Sequence, residues 1–143
     1  LERQIQREMI LESQVIQAGI SADSLFDSLR SPAQLGEFLP PNQVSDFSAS
    51  ESGCSFKVAG GFAIGIERTE EEKPSLIRFE SQKGTPIRFV LDVLIQSLSN
   101  ETSSLQVRCD ADLNPFMKMM AEKPLQAIFS GMADAVSQKY PLK

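Results

Sequence analysis

Residues 105–136, LQVRCDADLNPFMKMMAEKPLQAIFSGMADAV, run from a strand pattern straight into a helix pattern. Leu105, Val107, Cys109, Ala111 and Leu113 alternate with Gln106, Arg108, Asp110 and Asp112, the period of a strand with one covered and one wet face. Asn114-Pro115 then places a capping side chain before a proline at the first helical position, where the missing N–H costs nothing. At about 100° per residue, Met117, Met120, Ala121, Pro124, Leu125, Ala127, Ile128, Phe129, Met132, Ala135 and Val136 cover an arc of roughly 200°, about twice the stripe of an ordinary surface helix. A flat sheet does not cover that arc. A strongly curved one does, and it leaves space between itself and the helix. Pro124 removes a backbone hydrogen bond, which predicts a kink or break near Glu122 and Lys123.

Upstream of this stretch the same two-residue period repeats between turn signals at Glu51-Ser52-Gly53, Gly60-Gly61, Glu70 to Pro74, Gly84-Thr85-Pro86 and Ser99 to Thr102. About six strands in meander order result. One face collects Cys54, Phe56 and Val58, then Phe62, Ile64 and Ile66, then Ile77 and Phe79, then Ile87, Phe89, Leu91, Val93 and Ile95. The other face carries Ser55, Lys57, Glu67, Arg78, Glu80, Arg88, Asp92 and Gln96. Ahead of the meander, Met9 to Ile20 has the β-branched content of one more strand, with its buried face left open by the pattern. Ser21 caps a helix carrying Leu25, Phe26 and Leu29, and Ser31-Pro32 opens a second short helix that runs to about Phe38 and stops at Pro40-Pro41. Residues 1–8, ahead of Met9, read as a native extension or an appended remnant, and residues 9–143 as a single domain.

The bulk properties narrow the function classes. At 143 residues, 41% hydrophobic and 23% charged, the chain has the size and composition of one globular domain. A net charge of -5 without a basic stripe argues against nucleic acid as a partner. The chain has no histidine, and Cys54 and Cys109 have no CxxC company, so zinc and histidine-based catalysis are disfavoured and each cysteine reads as a small buried hydrophobe in a reducing compartment. No apolar run is long enough to span a bilayer, and LERQIQREMI is too charged for a signal peptide, which points to the cytoplasm.

The order strand, helix pair, six-strand meander, long C-terminal helix resembles the START-like, helix-grip (SRPBCC) superfamily. ESQVIQAGISADSLFDSLRSPAQLGEFLP looks like its opening strand and helix pair, and DADLNPFMKMMAEKPLQAIFSGMADAV like its last strand and gripping helix. The closing segment is similar in particular to small bacterial proteins of the polyketide cyclase and lipid-transport group. The resemblance implies an α+β fold with a curved antiparallel sheet of about seven strands around the C-terminal helix. These motifs are structural, and no catalytic position carries across from them.

Candidate chemistry is sparse. One phase of the first strand turns Glu12 and Gln14 inward, the other Ser13 and Gln17; an inward Glu12 would be the only general-acid candidate, and a rim position is the plainer reading. Asp110 and Asp112, with Arg108 and Asn114, share the geometry a Ca²⁺ or Mg²⁺ site borrows, but a wet strand face with Arg88 and Arg78 as cross-strand partners explains them. ERTEEEKP, 67–74, reads as a solvated turn, and Gly60-Gly61 as a hairpin turn without the Lys and Ser/Thr of a phosphate loop. Met117, Met120 and Met132 suit either an irregular core or an adaptable binding wall, while Met119 and Phe116 lie off the arc's centre, where they contact another copy or close the cavity's end.

The leading expectation is a binding module for a small hydrophobic or amphipathic molecule, its wall including Phe38, Leu39, Phe56, Phe62, Phe79, Phe89, Leu91, Met117, Met120 and Phe129. A cyclase or dehydratase acting on a ketide-like or aromatic substrate, implied by the resemblance alone, and a regulatory protein acting through its surface are the rivals. No catalytic residue, metal or cofactor is assigned.

Overall fold

A computed structural model describes residues 9–58 and 61–143. The strands are β1 (Met9–Glu12), β2 (Ile16–Ala18), β3 (Val44–Ala49), β4 (Gly53–Val58), β5 (Phe62–Glu72), β6 (Leu76–Ser81), β7 (Arg88–Ser99) and β8 (Thr102–Asp112); the helices are α1 (Ala22–Leu29), α2 (Pro32–Gly36) and α3 (Pro115–Lys139). The architecture is α+β. One antiparallel sheet runs β1-β8-β7-β6-β5-β4-β3, with β2 also paired to β8. β3 to β8 form the expected six-strand meander. The reading of residues 1–8 and part of the Gly60-Gly61 turn lie outside the described residues; Gly61 itself takes the left-handed φ of 100° that a tight turn requires.

The expected single strand over residues 9–20 is two strands. Glu12 pairs with Arg108 but Ile16 pairs with Leu105, so four steps on one side face three on the other. That extra residue is a bulge, and it flips the phase: Met9, Leu11 and Ser13 are buried before it and Ala18 after it, while Val15 is left exposed. Further register shifts in β3, β5 and β7 bend the sheet.

The inward set read from the sequence is the core. Every member from Cys54 to Leu113 is buried except Phe62, which is partly so and packs against the rest. Ser21, Ser31 and Asn114 cap the three helices as expected; the Asn114 Oδ1 accepts from the Met117 amide at 2.8 Å. α3 is continuous through Pro124, so of the kink or break anticipated near Glu122 and Lys123 the break does not occur. Its buried residues are Ala121, Leu125, Ile128, Phe129, Met132, Ala133 and Val136, which at about 100° per residue span about 140° rather than 200°. Met120, placed on the arc by periodicity, is half exposed. α3 comes close to the backbones of β1, β2 and β8 and stands farther from β4 to β7, while α1 lies over β7 and α2 over β3 and β4.

Candidate functional site

Where α3 stands off from the sheet, only side chains bridge the distance. Phe56 of β4, Ile64 and Ile66 of β5 and Phe89 and Leu91 of β7 come from the sheet, Leu125, Ile128, Phe129 and Met132 from α3, and Leu35 and Leu39 from α2 and the segment after it. Between them is a gap of about 20 Å³, taken as the room for the centre of a water-sized sphere, with no polar atom on its wall. A gap of that size holds about one water, and with no polar partner such a space stays dry. Gly131 fixes one side: a Cβ there would come within 2.9 Å of the Pro40 ring, so the glycine lets α3 approach the segment that carries Leu39.

Of the ten residues expected to form the wall, Leu39, Phe56, Phe89, Leu91 and Phe129 border the gap. Phe79 is fully buried but does not border the gap, and Phe38 lies toward the C-terminus of α3 with the Lys139 ammonium 5.4 Å from its ring centre. Phe62 and Met117 are partly buried against the core. Met120 points away from the gap and is exposed by half. Met132, weighed as core or binding wall but not placed among the ten, borders it, as do Leu35, Ile64, Ile66, Leu125 and Ile128, which were not singled out as wall residues. All but Leu35 were on the apolar face of their element, and a choice weighted toward aromatic residues and methionines passed over the aliphatic ones.

The first strand turns Ser13 inward, not Glu12. Ser13 Oγ accepts from the buried Val107 amide at 2.9 Å and donates to the Gln14 carbonyl, while its own amide donates to Val107 O at 2.8 Å. Glu12 pairs with Arg108 at 3.2 Å on the outside. Gln14 reaches Asp134 at 2.7 Å, and Gln126 reaches the Glu12 carbonyl at 3.0 Å, so the split strand is stitched to the second half of α3.

One ionisable side chain that the pattern missed lies in the inward phase. Arg68 sits opposite Phe79, pairs with Glu71 at 2.8 Å and donates to the carbonyl of Arg30. Arg30 grips the same carboxylate at 2.7 and 3.0 Å. The hydrogen bond from Arg30, with the charges of Arg30 and Arg68, holds the Glu71 carboxyl below its ordinary range despite the opposing effect of burial. The supposed acidic turn is therefore mostly β5, with Glu71 tying it to α1 and Glu70 paired to Arg78 at 3.4 Å. Phase beyond Ile66 was the available signal for Arg68.

Asp110 and Asp112 lie on the outer face in register with Val90 and Arg88. Arg78 takes Asp92 instead, in a two-pronged contact at 2.8 and 3.0 Å. Among the described residues no three of His, Cys, Asp and Glu are grouped to hold a metal. Cys54 and Cys109 are free and buried, and burial pushes each thiol up to about 12. Among the described residues no helix is long and apolar enough to cross a membrane.

Known structures share this arrangement over nearly the whole chain. Protein XoxI from Bacillus cereus superposes with a TM-score of 0.73 at 11% identity, over 93% of this chain and 96% of its own. A START superfamily protein from Mycobacterium smegmatis gives 0.65 at 14% identity, over 91% and 98%. The chain has the START-like, helix-grip fold. Norcoclaurine synthase from Thalictrum flavum, solved with dopamine and hydroxybenzaldehyde, has the same fold, at a TM-score of 0.69 and 13% identity over 92% and 85%. No protein-family model and no curated protein sequence matches the chain. At these identities the likeness is one of helix-grip architecture.

Proposed function

We propose that the protein binds a small hydrophobic or amphipathic molecule between the sheet and α3. The observation that supports this is the wholly apolar gap where the gripping helix stands off from the backbones of β4, β5 and β7. Ligand sites are mostly apolar hollows with few polar groups. The gap as it stands admits no more than a water, so a ligand enters with outward displacement of the first turns of α3. Those turns are weakly held: from Pro115 to Pro124 only Ala121 is buried, and Pro124 leaves the Met120 carbonyl without its helical partner. From Leu125 onward the helix is fixed by Gly131 against Pro40 and by the Gln14 and Gln126 contacts.

Native mass spectrometry of the purified protein, followed by titration with medium-chain fatty acids and bicyclic aromatics under thermal denaturation, tests the reading. A carried-over apolar molecule, or a saturable rise in melting temperature that Leu91→Phe abolishes, is the expected result. Failure of every member of the panel to shift the wild-type transition, with no co-purifying molecule, refutes it. The cyclase or dehydratase reading has no specific observation in its favour, since no titratable side chain borders the gap among the described residues.

A further inference from the structure

Among the described residues, the first turns of α3 carry the largest cluster of exposed apolar side chains. Phe116, Met119 and Met120 are 66, 81 and 50% exposed, and their spacing of three and four residues puts them on one face with Lys123. At about 200 Å² for each of these side chains the apolar area is roughly 400 Å², the size at which an exposed patch carries a role.

Cations single out the same end of the molecule. Arg30, Lys57, Arg68, Lys73, Arg78, Arg108 and Lys139 each pair with a carboxylate. Apart from Lys143 in the C-terminal tail, the cations without an ion pair among the described residues are Lys83, Arg88, Lys118 and Lys123. Lys118 and Lys123 are on α3 itself, Arg88 opens β7 opposite Asp112, two residues before the helix cap, and Lys83 is in the loop leading to Arg88. The acidic groups at this end are Asp112 beside Arg88, Glu122 on α3, Asp110, which is engaged, and, in the same row across the sheet as Asp110, Glu80, bonded to Thr69, and Glu67, bonded to Ser52 and Gln82. At the opposite end of the sheet stand Glu51, Glu70, Glu71, Glu72 and Glu101. A chain of net charge -5 therefore presents, at the end that carries its exposed apolar cluster, four cations that are outside ion pairs among the described residues.

We infer that this end of the protein docks on an anionic lipid bilayer, with Phe116, Met119 and Met120 entering the interface and Lys118, Lys123, Arg88 and Lys83 facing the headgroups. Apolar side chains on a short amphipathic stretch and basic residues near the surface act together in such binding, and neither suffices alone. A second copy of the chain fits less well, because roughly 400 Å² falls short of the about 800 Å² per partner of a stable interface. The inference goes beyond ligand binding in the gap and does not depend on it.

Flotation of the full chain with vesicles of phosphatidylcholine, and of phosphatidylcholine mixed with phosphatidylglycerol, tests it. The expected result is at least tenfold stronger partition onto the anionic vesicles, weakened by salt, with a loss of about tenfold or more in Lys118→Glu/Lys123→Glu. Phe116→Ser/Met119→Ser loses binding too, whereas Lys73→Glu at the opposite end keeps it. All these positions are exposed, and circular dichroism confirms that the variants fold. Equal partition onto both vesicles, or an unchanged Lys118→Glu/Lys123→Glu, overturns the inference. So does a concentration-dependent dimer that Phe116→Ser/Met119→Ser abolishes, or a protein partner captured through the same face by a chain that leaves anionic vesicles unbound.

Discussion

Phe129→Ala compared with Met120→Ala tests the orientation of α3, on which both proposals rest. Periodicity put the two side chains on the same arc, but Phe129 is 4% exposed and Met120 50%. Removing the Phe129 ring opens roughly 80 to 100 Å³ beside the existing gap, which at about 24 cal/mol per Å³ costs about 2 kcal/mol. Lost burial of the ring adds about 2 kcal/mol, for a total of about 4. Unfolding entropy of about 2.1 cal/mol/K per residue gives the chain about 0.3 kcal/mol/K, so the melting temperature falls by about 13 °C. Met120→Ala, largely in water, changes stability by about 0.5 kcal/mol or less, within about 2 °C. Calorimetry with urea titration at constant m-value reads both. The enlarged cavity also stays dry and takes up benzene, which raises the melting temperature of Phe129→Ala and not of the wild type. A loss below about 1.5 kcal/mol for Phe129→Ala, or equal losses for the two variants, would refute the placement of the helix.

Ser13→Ala leaves the buried amide of Val107 without its side-chain acceptor and is expected to cost about 1 to 3 kcal/mol in urea denaturation; a neutral result would show that the hydroxyl is dispensable. Asn114→Ala removes the acceptor for the Met117 amide, with an expected loss of about 1 kcal/mol and a melting temperature lower by about 3 °C. Glu71 has a folded-state acidity below its unfolded value because of its hydrogen bond with Arg30, so its stabilisation is present above about pH 4.3 and is lost as pH falls through the folded value. The urea midpoint of Glu71→Gln accordingly differs from wild type at neutral pH and converges on it in acid; a constant difference down to pH of about 2 contradicts the pairing. Both thiols, pushed up to about 12 by burial, stay unreacted with a disulfide reagent at mildly alkaline pH until the chain is unfolded; prompt labelling of native protein would contradict their burial.

The apolar strand faces were legible because a period of two reports directly which side chains share a covered surface. From Cys54 to Leu113 only Phe62 fell short of full burial, at the start of β5 beside the hairpin tip. The helix starts were legible for an equally local reason, since a cap is decided by one side chain and an amide three residues on. The phase change at Gln14 and Val15 was not, because a bulge is defined by the partner strand: β8 supplies three residues where the first strand supplies four. Arg68 escaped for a related reason. Its alternation marks it as inward, but the Glu71 carboxylate and the Arg30 carbonyl that receive its guanidinium come from other elements or follow the bulge in β5.

Sequence alone determined the order of elements, the inward face of the meander, the cap of an apolar C-terminal helix, and the scarcity of inward ionisable groups; that the helix runs unbroken through Pro124 it did not. These depend on neighbours within a few positions along the chain, where propensity and period act. Tertiary structure decided which part of the apolar arc is covered, and hence that Met120, Phe116 and Met119 face out while Leu125, Phe129 and Met132 face the gap. It also decided that the gap is only about 20 Å³ and that, among the described residues and apart from Lys143, the cations outside ion pairs stand at the end of the sheet where α3 begins. Burial and charge pairing are set by what arrives from distant parts of the chain: an apolar stripe says that a surface seeks cover, and only the assembled fold says whether it found any.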